Sequence, residues 1–310
     1  MKNNAAHVFY SPALRYFVEV AKVGSIRGAA RGLNVVSSAV NRQILNLEQQ
    51  FGLQLFDRVG RGIILSEAGE VLLVHAKRAL ADFDSALEAL DDLSGLKRGM
   101  VKVAVVESVS ESLMARVVSR FQKTYPGIQI EIFMGSSARV MQAITNADVH
   151  VAIGFNVPNH GELTSVNCQE LTIGAVMLPT HELAKNQSCT LEQCIQHPIA
   201  MPNDNLSIGH ILQTVMQQNS LTPHTMVRTN SLRFMKSLVF ESGYIAFQTK
   251  LGMEAEKRAG SLVFVPISEP ELPADQLVLV TNNTHELSLA PRTFISHLDL
   301  ALNHFRNLES

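Results

Sequence analysis

The stretch from Pro12 to Gly69 constrains the fold of this 310-residue chain more than any other part of it. It follows Ser11, and a serine followed by a proline is typical of a helix start, because serine caps a helix and proline suits its first position. Apolar residues then recur at the spacing of one helical face, at Leu14, Phe17, Val18 and Ala21. Gly24 ends this helix, and Ser25 can cap the next one. Two further short helices, a ribbon and the start of a long helix follow, an order that predicts a helix-turn-helix with a wing.

The third helix of this segment has two chemically different faces. Its apolar side is formed by Ala39, Val40, Ile44 and Leu47. Its opposite side carries side chains that can hydrogen bond, namely Ser37, Ser38, Asn41, Arg42 and Asn46. A helix with such a face fits the major groove of duplex DNA, where base edges offer donors and acceptors. Arg58 and Arg61 lie on or beside the predicted turn of the ribbon, where they can contact phosphates.

Charge is distributed unevenly along the chain. Residues 1–65 hold eight basic and three acidic residues, although the whole chain carries a formal net charge of −2. A basic segment favours a polyanionic partner and makes its binding depend on salt. A solvated surface accounts for the charge alone, but it does not account for the order of helices and ribbon. We therefore predict double-stranded DNA as a partner.

The segment 12–69 resembles the N-terminal domain of LysR-type transcriptional regulators. The matching positions follow one another in the same order and without gaps: Phe17-Val-Glu-Val-Ala21, Gly24-Ser25, Ala29-Ala30, Leu33, Ala39-Val40, Arg42-Gln-Ile44, Leu47-Glu48, Gly52, Leu55-Phe56, Arg58 and Ala68-Gly69. The length and layout of the remaining chain also fit that family. The resemblance implies a sequence-specific DNA-binding regulator controlled by a small-molecule effector, with RNA polymerase as a further partner. We expect DNA contacts from Ser25, Arg27, Ser37, Ser38, Asn41, Arg42, Arg58 and Arg61.

The start of the third helix departs from the family's pattern. Similar proteins place Ser or Thr at the cap, then Gln, then Pro or Ser, whereas this chain has Val36, Ser37 and Ser38. Val36 cannot cap with its side chain, a loss of about 1 kcal/mol, and Ser37 is too short for the bidentate contact that glutamine makes with adenine. Gly28 and Gly32 each weaken the second helix by about 1 kcal/mol relative to alanine. We expect an altered base preference rather than a loss of DNA binding.

Residues 67–94 are predicted to form one long helix. Its apolar residues alternate at spacings of three and four, at Leu73, Ala76, Leu80, Phe83, Leu87 and Leu90. Such a heptad seam is typical of two helices that pack side by side, although an amphipathic helix also packs on its own domain. The family resemblance implies that this helix dimerises. We therefore expect a homodimer or homotetramer through this linker helix, followed by a hinge at residues 94–99.

Beyond residue 99 the pattern changes to alternating strands and helices. Apolar runs at residues 101–106, 128–133 and 149–153 alternate with amphipathic stretches, and this βαβαβ order implies parallel strands. A second unit of the same kind follows. We predict an α/β fold with an N-terminal all-α winged helix-turn-helix, in which a long linker helix joins a two-lobed periplasmic-binding-protein-like effector domain. The predicted domains are residues 1–66, 67–98 and 99–310, with lobe I at 99–165 and 268–310 and lobe II at 166–267.

Polar residues follow several of the predicted strands. Ligands of open α/β sheets bind beyond the carboxyl ends of strands, where helix N-termini offer N–H groups. The family binds its effector in such a cleft, so the resemblance favours Ser108, Ser136, Ser137, Asn203, Ser207, Ser231 and Gln248 as effector ligands. Serine and asparagine also serve as plain helix caps and turn residues. Glu107, after the first strand, hints at a polar or cationic effector, and the sequence leaves the compound itself open.

No motif for catalysis or metal binding is found in the sequence. The histidines are scattered, and there is no Gly-x-Ser-x-Gly elbow, phosphate-binding loop or nucleotide fingerprint. Cys168, Cys189 and Cys194 lack the two-residue spacing common in zinc sites, and we interpret them as ordinary thiols rather than a redox pair. We expect no enzymatic activity and no cofactor. Without a leader or an apolar run of membrane length, a cytoplasmic location is expected.

Two other classes of protein share parts of this pattern. A solute-binding protein of the periplasmic type has the two lobes, but it needs an export signal and has no use for residues 12–69. An enzyme on an α/β scaffold needs a catalytic set, which the sequence does not display. A transcriptional regulator accounts for both halves of the chain.

Overall fold

A computed structural model describes residues 12–59, 62–92, 99–157, 161–284 and 286–309. The chain divides into two compact units, residues 1–87 and 88–310. The elements of the first part of the chain are helices α1 (Pro12–Val23), α2 (Ile26–Gly32) and α3 (Ser37–Phe51), strands β1 (Phe56–Val59) and β2 (Gly62–Leu65), and the long helix α4 (Glu67–Asp92).

The first unit is a helix-turn-helix followed by an antiparallel ribbon. The three short helices pack around small and apolar side chains, which are Ala13, Phe17, Val20, Ala29, Ala30, Val40, Ile44 and Leu47. Gly24 has a φ of 67° between α1 and α2, a left-handed turn that glycine makes without strain. Glu48 of α3 accepts hydrogen bonds from the N–H groups of Leu55 at 2.9 Å and Phe56 at 3.4 Å. The base of the ribbon is thereby fixed to the third helix, as in the predicted winged fold.

The core of the first unit continues onto α4. Ala76 belongs to it, and Leu72 and Leu73 pack against it. A side chain at Gly69 would collide with the carbonyl oxygen of Leu55, so glycine allows α4 to begin close against the ribbon. The boundary predicted after residue 66 coincides with the beginning of α4. The apolar core of the first unit continues past this boundary onto the first turns of α4.

The second unit contains two five-stranded sheets. Its elements are, in chain order, β3 (Gly99–Val105), α5 (Glu107–Val109), a π-helical turn (Ser110–Met114), α6 (Ala115–Thr124), β4 (Ile128–Met134), α7 (Ser137–Thr145), β5 (Val151–Phe155), β6 (Leu163–Leu171), β7 (Ile173–Met177), a 3-10 turn (Glu182–Lys185), α8 (Leu191–Cys194), β8 (Ile199–Pro202), α9 (Ser207–Gln218), β9 (Met226–Thr229), α10 (Leu232–Ser242), β10 (Ile245–Thr249), α11 (Glu254–Ala259), β11 (Val263–Pro266), β12 (Asp275–Asn282) and α12 (Leu289–Glu309).

Lobe I is built on the sheet with strand order β4-β3-β5-β12-β6. Strand β3 is parallel to β4 and β5, whereas β12 is antiparallel to β5 and β6. Helices α6 and α12 share an apolar core with this sheet, in which the rings of Phe121 and Phe294 meet edge to face with centroids 5.0 Å apart. Crossover helices between parallel strands confirm the predicted α/β architecture.

Lobe II is built on the sheet with strand order β11-β7-β10-β8-β9. Strand β8 is parallel to β9 and β10, while β7 is antiparallel to β10 and β11. The fully buried side chains of Ile199, Leu212 and Phe247 lie in its main core. The two-lobed arrangement predicted from the sequence is therefore present.

One predicted boundary between the lobes is wrong. All of β6 pairs with β12 in the lobe I sheet, so residues 166–171, assigned to lobe II from the sequence, belong to lobe I. The strand was missed because it lies at the edge of the sheet and buries only Gln169 and Leu171 among its nine residues. Its side chains therefore show little of the apolar alternation by which a strand is recognised.

Candidate DNA-binding surface and effector cleft

Helix α3 presents the two faces predicted from its sequence. Val40, Ile44 and Leu47 are buried, and Ala39 is only half-buried. The exposed polar side chains are Ser38, Asn41, Arg42 and Asn46, with Ser37 half-buried beside them. The helix therefore carries a row of hydrogen-bonding groups and one cation on the surface of the first unit.

No side chain caps the N terminus of α3. Val36 occupies the cap position in an extended conformation, is 68% exposed and makes no side-chain hydrogen bond. This confirms the missing cap predicted from the sequence. The first N–H groups of a helix have no intrahelical partner, and uncapped groups at this end can bind an anion such as a phosphate.

The other predicted DNA contacts belong to segments of the chain outside α3. Ser25 caps α2, because its Oγ accepts a hydrogen bond from the N–H of Gly28 at 3.3 Å, and Arg27 is exposed on the same helix. Ser25 therefore has a structural role of its own. Arg58 belongs to β1, although its side chain lies outside the described part of the chain, as does the whole of Arg61.

Four of the seven predicted effector ligands line one cleft between the lobes of the second unit. These are Ser108, Ser137, Ser207 and Gln248. The other residues that line the cleft are Val106, Glu107, Phe155, Leu206, Ile208, Leu232, Thr249 and Asp275. Most of them lie at or just beyond the ends of strands, where the sequence predicted the site.

The other three predicted ligands do not line this cleft. Ser231 caps α10 by accepting a hydrogen bond from the N–H of Phe234 at 3.2 Å. Asn203 accepts one from the N–H of Asn205 at 3.1 Å, which is a turn within the chain. Ser136 is the residue before α7 and makes no side-chain cap. For Ser231 and Asn203 the local capping or turn role is confirmed.

Glu107 of lobe I occupies the N terminus of a helix in lobe II. Its Oε2 accepts a hydrogen bond from the N–H of Leu232 at 2.9 Å, and its Oε1 accepts one from the N–H of Arg233 at 3.3 Å. The hydroxyl of Ser231 also donates to Oε1 at 3.3 Å. Negative charge is stabilised at this end of a helix by the aligned peptide dipoles. The carboxylate therefore joins the two lobes across the cleft.

Asp275 is a second acid in the cleft and is 1% exposed. Its Oδ1 accepts hydrogen bonds from the hydroxyl of Ser207 at 2.5 Å and from the amide of Asn156 at 3.0 Å. Burial raises the pKa of Asp275 to about 6, although these two hydrogen bonds lower it in part. The amide of Asn156 also lies 2.6 Å from the Ser207 oxygen, so the three side chains form one network.

Gln248, near the end of β10, lines the cleft and has a side-chain N–H donor that makes no hydrogen bond to the described residues. The side chain is 3% exposed, and its Nε2 has no hydrogen-bond partner among the described residues. A buried donor without a partner costs about 1–3 kcal/mol. A ligand with an acceptor oxygen would remove that cost.

The cleft is nearly closed. Its volume is about 30 Å³, which is room for water but not for a metabolite. Of the described side chains that line it, those of Glu107 and Asp275 are the ones that carry a formal charge, and both are acids. A larger effector therefore requires the lobes to separate and meets negative rather than positive groups.

The two acids that line this cleft are not among the effector ligands predicted from the sequence. The sequence only suggested that Glu107 favours a polar or cationic effector, and it did not indicate Asp275. Asp275 follows a loop rich in Pro and Glu and is the first residue of the apolar strand β12. An acid at the end of a buried strand was the one sign in the sequence that this residue belongs to the cleft. Its partners Asn156 and Ser207 are far from it in sequence, so their contact could not be inferred from spacing.

Among the described residues, the cysteines do not form a metal centre. Cys189 and Cys194 are buried free thiols with their Sγ atoms 3.6 Å apart, and Cys168 is an exposed free thiol. Within the described ranges, no three His, Cys, Asp or Glu side chains are grouped so as to hold a metal ion. In the same part of the chain, none of the helices has the length and hydropathy needed to cross a membrane.

Two family models match the chain. Residues 12–70 match the bacterial regulatory helix-turn-helix protein of the lysR family, and residues 94–302 match the LysR substrate binding domain. The transcriptional dual regulator GltC of Bacillus subtilis is 30% identical over 234 residues, which cover 73% of this chain and 76% of GltC. The HTH-type transcriptional activator CmpR of Synechocystis is 23% identical over 298 residues, 96% of each chain.

Solved structures share the fold over nearly the whole chain. A full-length OxyR variant from Pseudomonas aeruginosa superposes with a TM-score of 0.72 at 15% identity, covering 94% of this chain and 93% of that one. CbnR, solved in complex with its target DNA, gives a TM-score of 0.61 at 16% identity, covering 93% of this chain and 98% of that one. With the order of its parts and both family models in agreement, the chain belongs to the LysR-type transcriptional regulators.

Proposed function

We propose that the polar face of α3 reads operator DNA in the major groove. Ser37, Ser38, Asn41 and Arg42 would contact bases and nearby phosphates, and Ser25, Arg27, Arg58 and Arg61 would contact the flanking backbone. The exposure of the α3 face and the uncapped N terminus behind Val36 support this assignment. The similar protein CbnR was solved with its target DNA.

We further infer that the chain acts as a homodimer or homotetramer paired through α4. That helix is 26 residues long, and Leu90 on its predicted seam is 61% exposed. Two linked reading heads raise affinity for a paired operator through effective concentration. We further propose that the protein acts in the cytoplasm, where its DNA partner would be located, and that RNA polymerase is a further partner. The matched helix-turn-helix disfavours the alternative of a solute-binding protein without a regulatory role.

We propose that the effector is a small molecule that is uncharged or cationic and carries hydroxyl or amino groups. One observation carries this proposal: Glu107 and Asp275 line the cleft, and no basic side chain does so among the described residues. Gln248 offers a donor without a partner, and Ser108, Ser137 and Ser207 offer hydroxyls. A hydroxyl can donate to a carboxylate and accept from an amide, whereas a second carboxylate would be repelled by both acids.

The effector would act by replacing contacts that close the cleft. Glu107 and Asp275 both bond groups of lobe II, at Leu232 and Ser207 respectively. A ligand that bonds these acids binds best when the lobes have separated, so it shifts the population of lobe arrangements. The described residues that line the cleft include no histidine, lysine or cysteine, and we infer that the ligand is bound there and not converted.

Three two-carbon compounds test the charge preference because they differ in one end group. Ethanolamine, ethylene glycol and glycolate share a hydroxyl and present an ammonium, a second hydroxyl or a carboxylate. At equal concentration, we expect ethanolamine to raise the melting temperature of the full chain by about 2 °C or more and glycolate to leave it unchanged. Glu107→Gln should reduce the response to ethanolamine, while Glu131→Gln, at an exposed position on β4, should not. A response to glycolate alone would contradict the proposed effector class.

A further inference from the structure

The second unit contains a cavity that is distinct from the effector cleft. It has a volume of about 680 Å³, within the range of sites that hold small organic ligands. Helices α6 and α12 of lobe I form one side, and helix α11 and strand β11 of lobe II form the other. None of the predicted effector or DNA contacts lies in it.

Most of the residues that line this cavity are apolar. They are Leu113, Val117, Pro179, Met253, Leu262, Val263, Phe264, Leu300, Ala301 and Phe305. Leu300 is 67% exposed, although a leucine of a folded protein is more commonly buried. An apolar part of a ligand would remove this surface from water at roughly 25 cal/mol for each Å² covered.

The charged side chains that line the cavity are mostly cationic. They are Arg116, Arg120, Lys250, Lys257 and one acid, Glu254, and His297 and His304 line the cavity as well. Glu254 pairs with Arg116 at 3.4 Å, so it offsets one of the four cations. Lys250 places its Nζ 5.8 Å from the centroid of the Phe264 ring, at the border between the charged and apolar parts.

Two of these cations are placed to receive an anion. Arg120 on α6 and Lys257 on α11 are exposed, and neither has an ion-pair partner among the described residues. They belong to opposite walls of the cavity, one in each lobe. An anionic head group between them would be attracted from both sides, while its apolar body would contact the apolar lining residues.

We propose that this cavity is a second ligand site, separate from the effector cleft, that binds an amphipathic carboxylate such as a medium-chain fatty acid. The head group lies between Arg120 and Lys257, and the hydrocarbon chain covers Leu300 and Phe264. The charge preference is opposite to that of the acidic cleft. Because both lobes contribute walls, occupancy of this site stabilises one lobe arrangement and so couples to the effector cleft.

Calorimetric titration of the full chain with octanoate tests the site. Octylamine and 1-octanol are matched probes, because they keep the chain length and change the head group. We expect octanoate to bind at least tenfold more tightly than octylamine. Arg120→Gln combined with Lys257→Gln should weaken octanoate binding at least fivefold, whereas Lys123→Gln, at an exposed position of α6 outside the cavity, should change it less than twofold.

Hydrogen exchange locates the bound compound independently of affinity. Octanoate should slow exchange most in residues 116–124 and 254–264, with a smaller effect at residues 106–108 of the effector cleft. Equal binding of all three probes, unchanged binding in the double variant, or protection confined to the effector cleft would overturn the proposal. It would also be overturned if octanoate failed to bind while Leu300→Glu changed the oligomeric state, because a second copy of the chain would then cover the cavity. These outcomes are independent of the ethanolamine test, which concerns the other site.

Discussion

Lys236 of lobe II donates a hydrogen bond to Glu111 of lobe I across 2.8 Å. Its Nζ also lies 3.0 Å from Glu256 and 2.6 Å from the carbonyl oxygen of Gly252. The lysine is 6% exposed, and its three N–H groups thus have three acceptors. This ion pair and the carboxylate of Glu107 at the start of α10 are two charged contacts that hold the lobes together.

Replacing Lys236 by methionine should destabilise the protein. The side-chain volume is nearly kept, but Glu111 and Glu256, which are partly buried, lose their cation. We expect the free energy of unfolding to fall by about 2 kcal/mol, less than for a fully buried pair because both acids retain some water. Chemical denaturation measures the change. Arg233→Met on the exposed side of the same helix is the matched control and should stay within about 0.5 kcal/mol of wild type.

The raised pKa of Asp275 predicts that the free energy of unfolding depends on pH. Its pKa is raised from 3.8 to about 6 by burial, so the folded protein binds this proton more tightly than the unfolded chain does. The stabilising contribution is therefore complete below pH 3.8 and is lost as the pH rises through 6. Relative to Asp275→Asn, wild type should gain roughly 1 kcal/mol between pH 7.5 and pH 5.

Asp275→Asn removes the titratable group but keeps an oxygen that can accept the hydrogen bonds of Ser207 and Asn156. Both Ser207 and Asn156 donate to one oxygen of Asp275, and an asparagine oxygen can accept both bonds. At pH 7.5 the variant should be at least as stable as wild type, since it has no buried charge. Denaturation curves at the two pH values measure both effects, and a constant difference between the proteins would show that Asp275 does not titrate in this range.

Adding a cap to the recognition helix should stabilise the first unit. Val36 is exposed and caps nothing, so Val36→Ser gains a hydrogen bond to the first turn of α3 and loses little packing. We expect a gain of about 1 kcal/mol. Val36→Ala removes the same surface without adding a hydroxyl and should give no such gain. Equal stability of the serine and alanine variants would mean that the N terminus of α3 is satisfied in another way.

The sequence predicted the first unit well because its signals are local. Ser25 as a cap, the buried side of α3 and the missing cap at Val36 all depend on residues that are close together in the chain. The α/β lobes were also predictable, because buried parallel strands are continuous apolar runs. Strand β6 was not, since an edge strand that buries two of nine residues carries almost no such signal.

The cleft was predicted only in part because its contacts join distant segments. Glu107 and Leu232 are 125 residues apart, and Asp275 and Ser207 are 68 residues apart. Local chemistry could place Ser108, Ser137, Ser207 and Gln248 at strand ends, and these line the cleft. It could not show that an acid of the other lobe would occupy the N terminus of α10, beside the predicted cap Ser231.

The most direct test of the account is the binding of the full chain to the DNA upstream of its own gene, measured by fluorescence anisotropy at several salt concentrations. A scrambled duplex of equal length and Lys123→Gln serve as controls. We predict that affinity falls linearly with salt on logarithmic axes, that the upstream duplex is preferred, and that Arg42→Gln weakens its binding about tenfold or more. Equal affinity for both duplexes, with no effect of Arg42→Gln, would contradict the assignment of α3 as the reading helix.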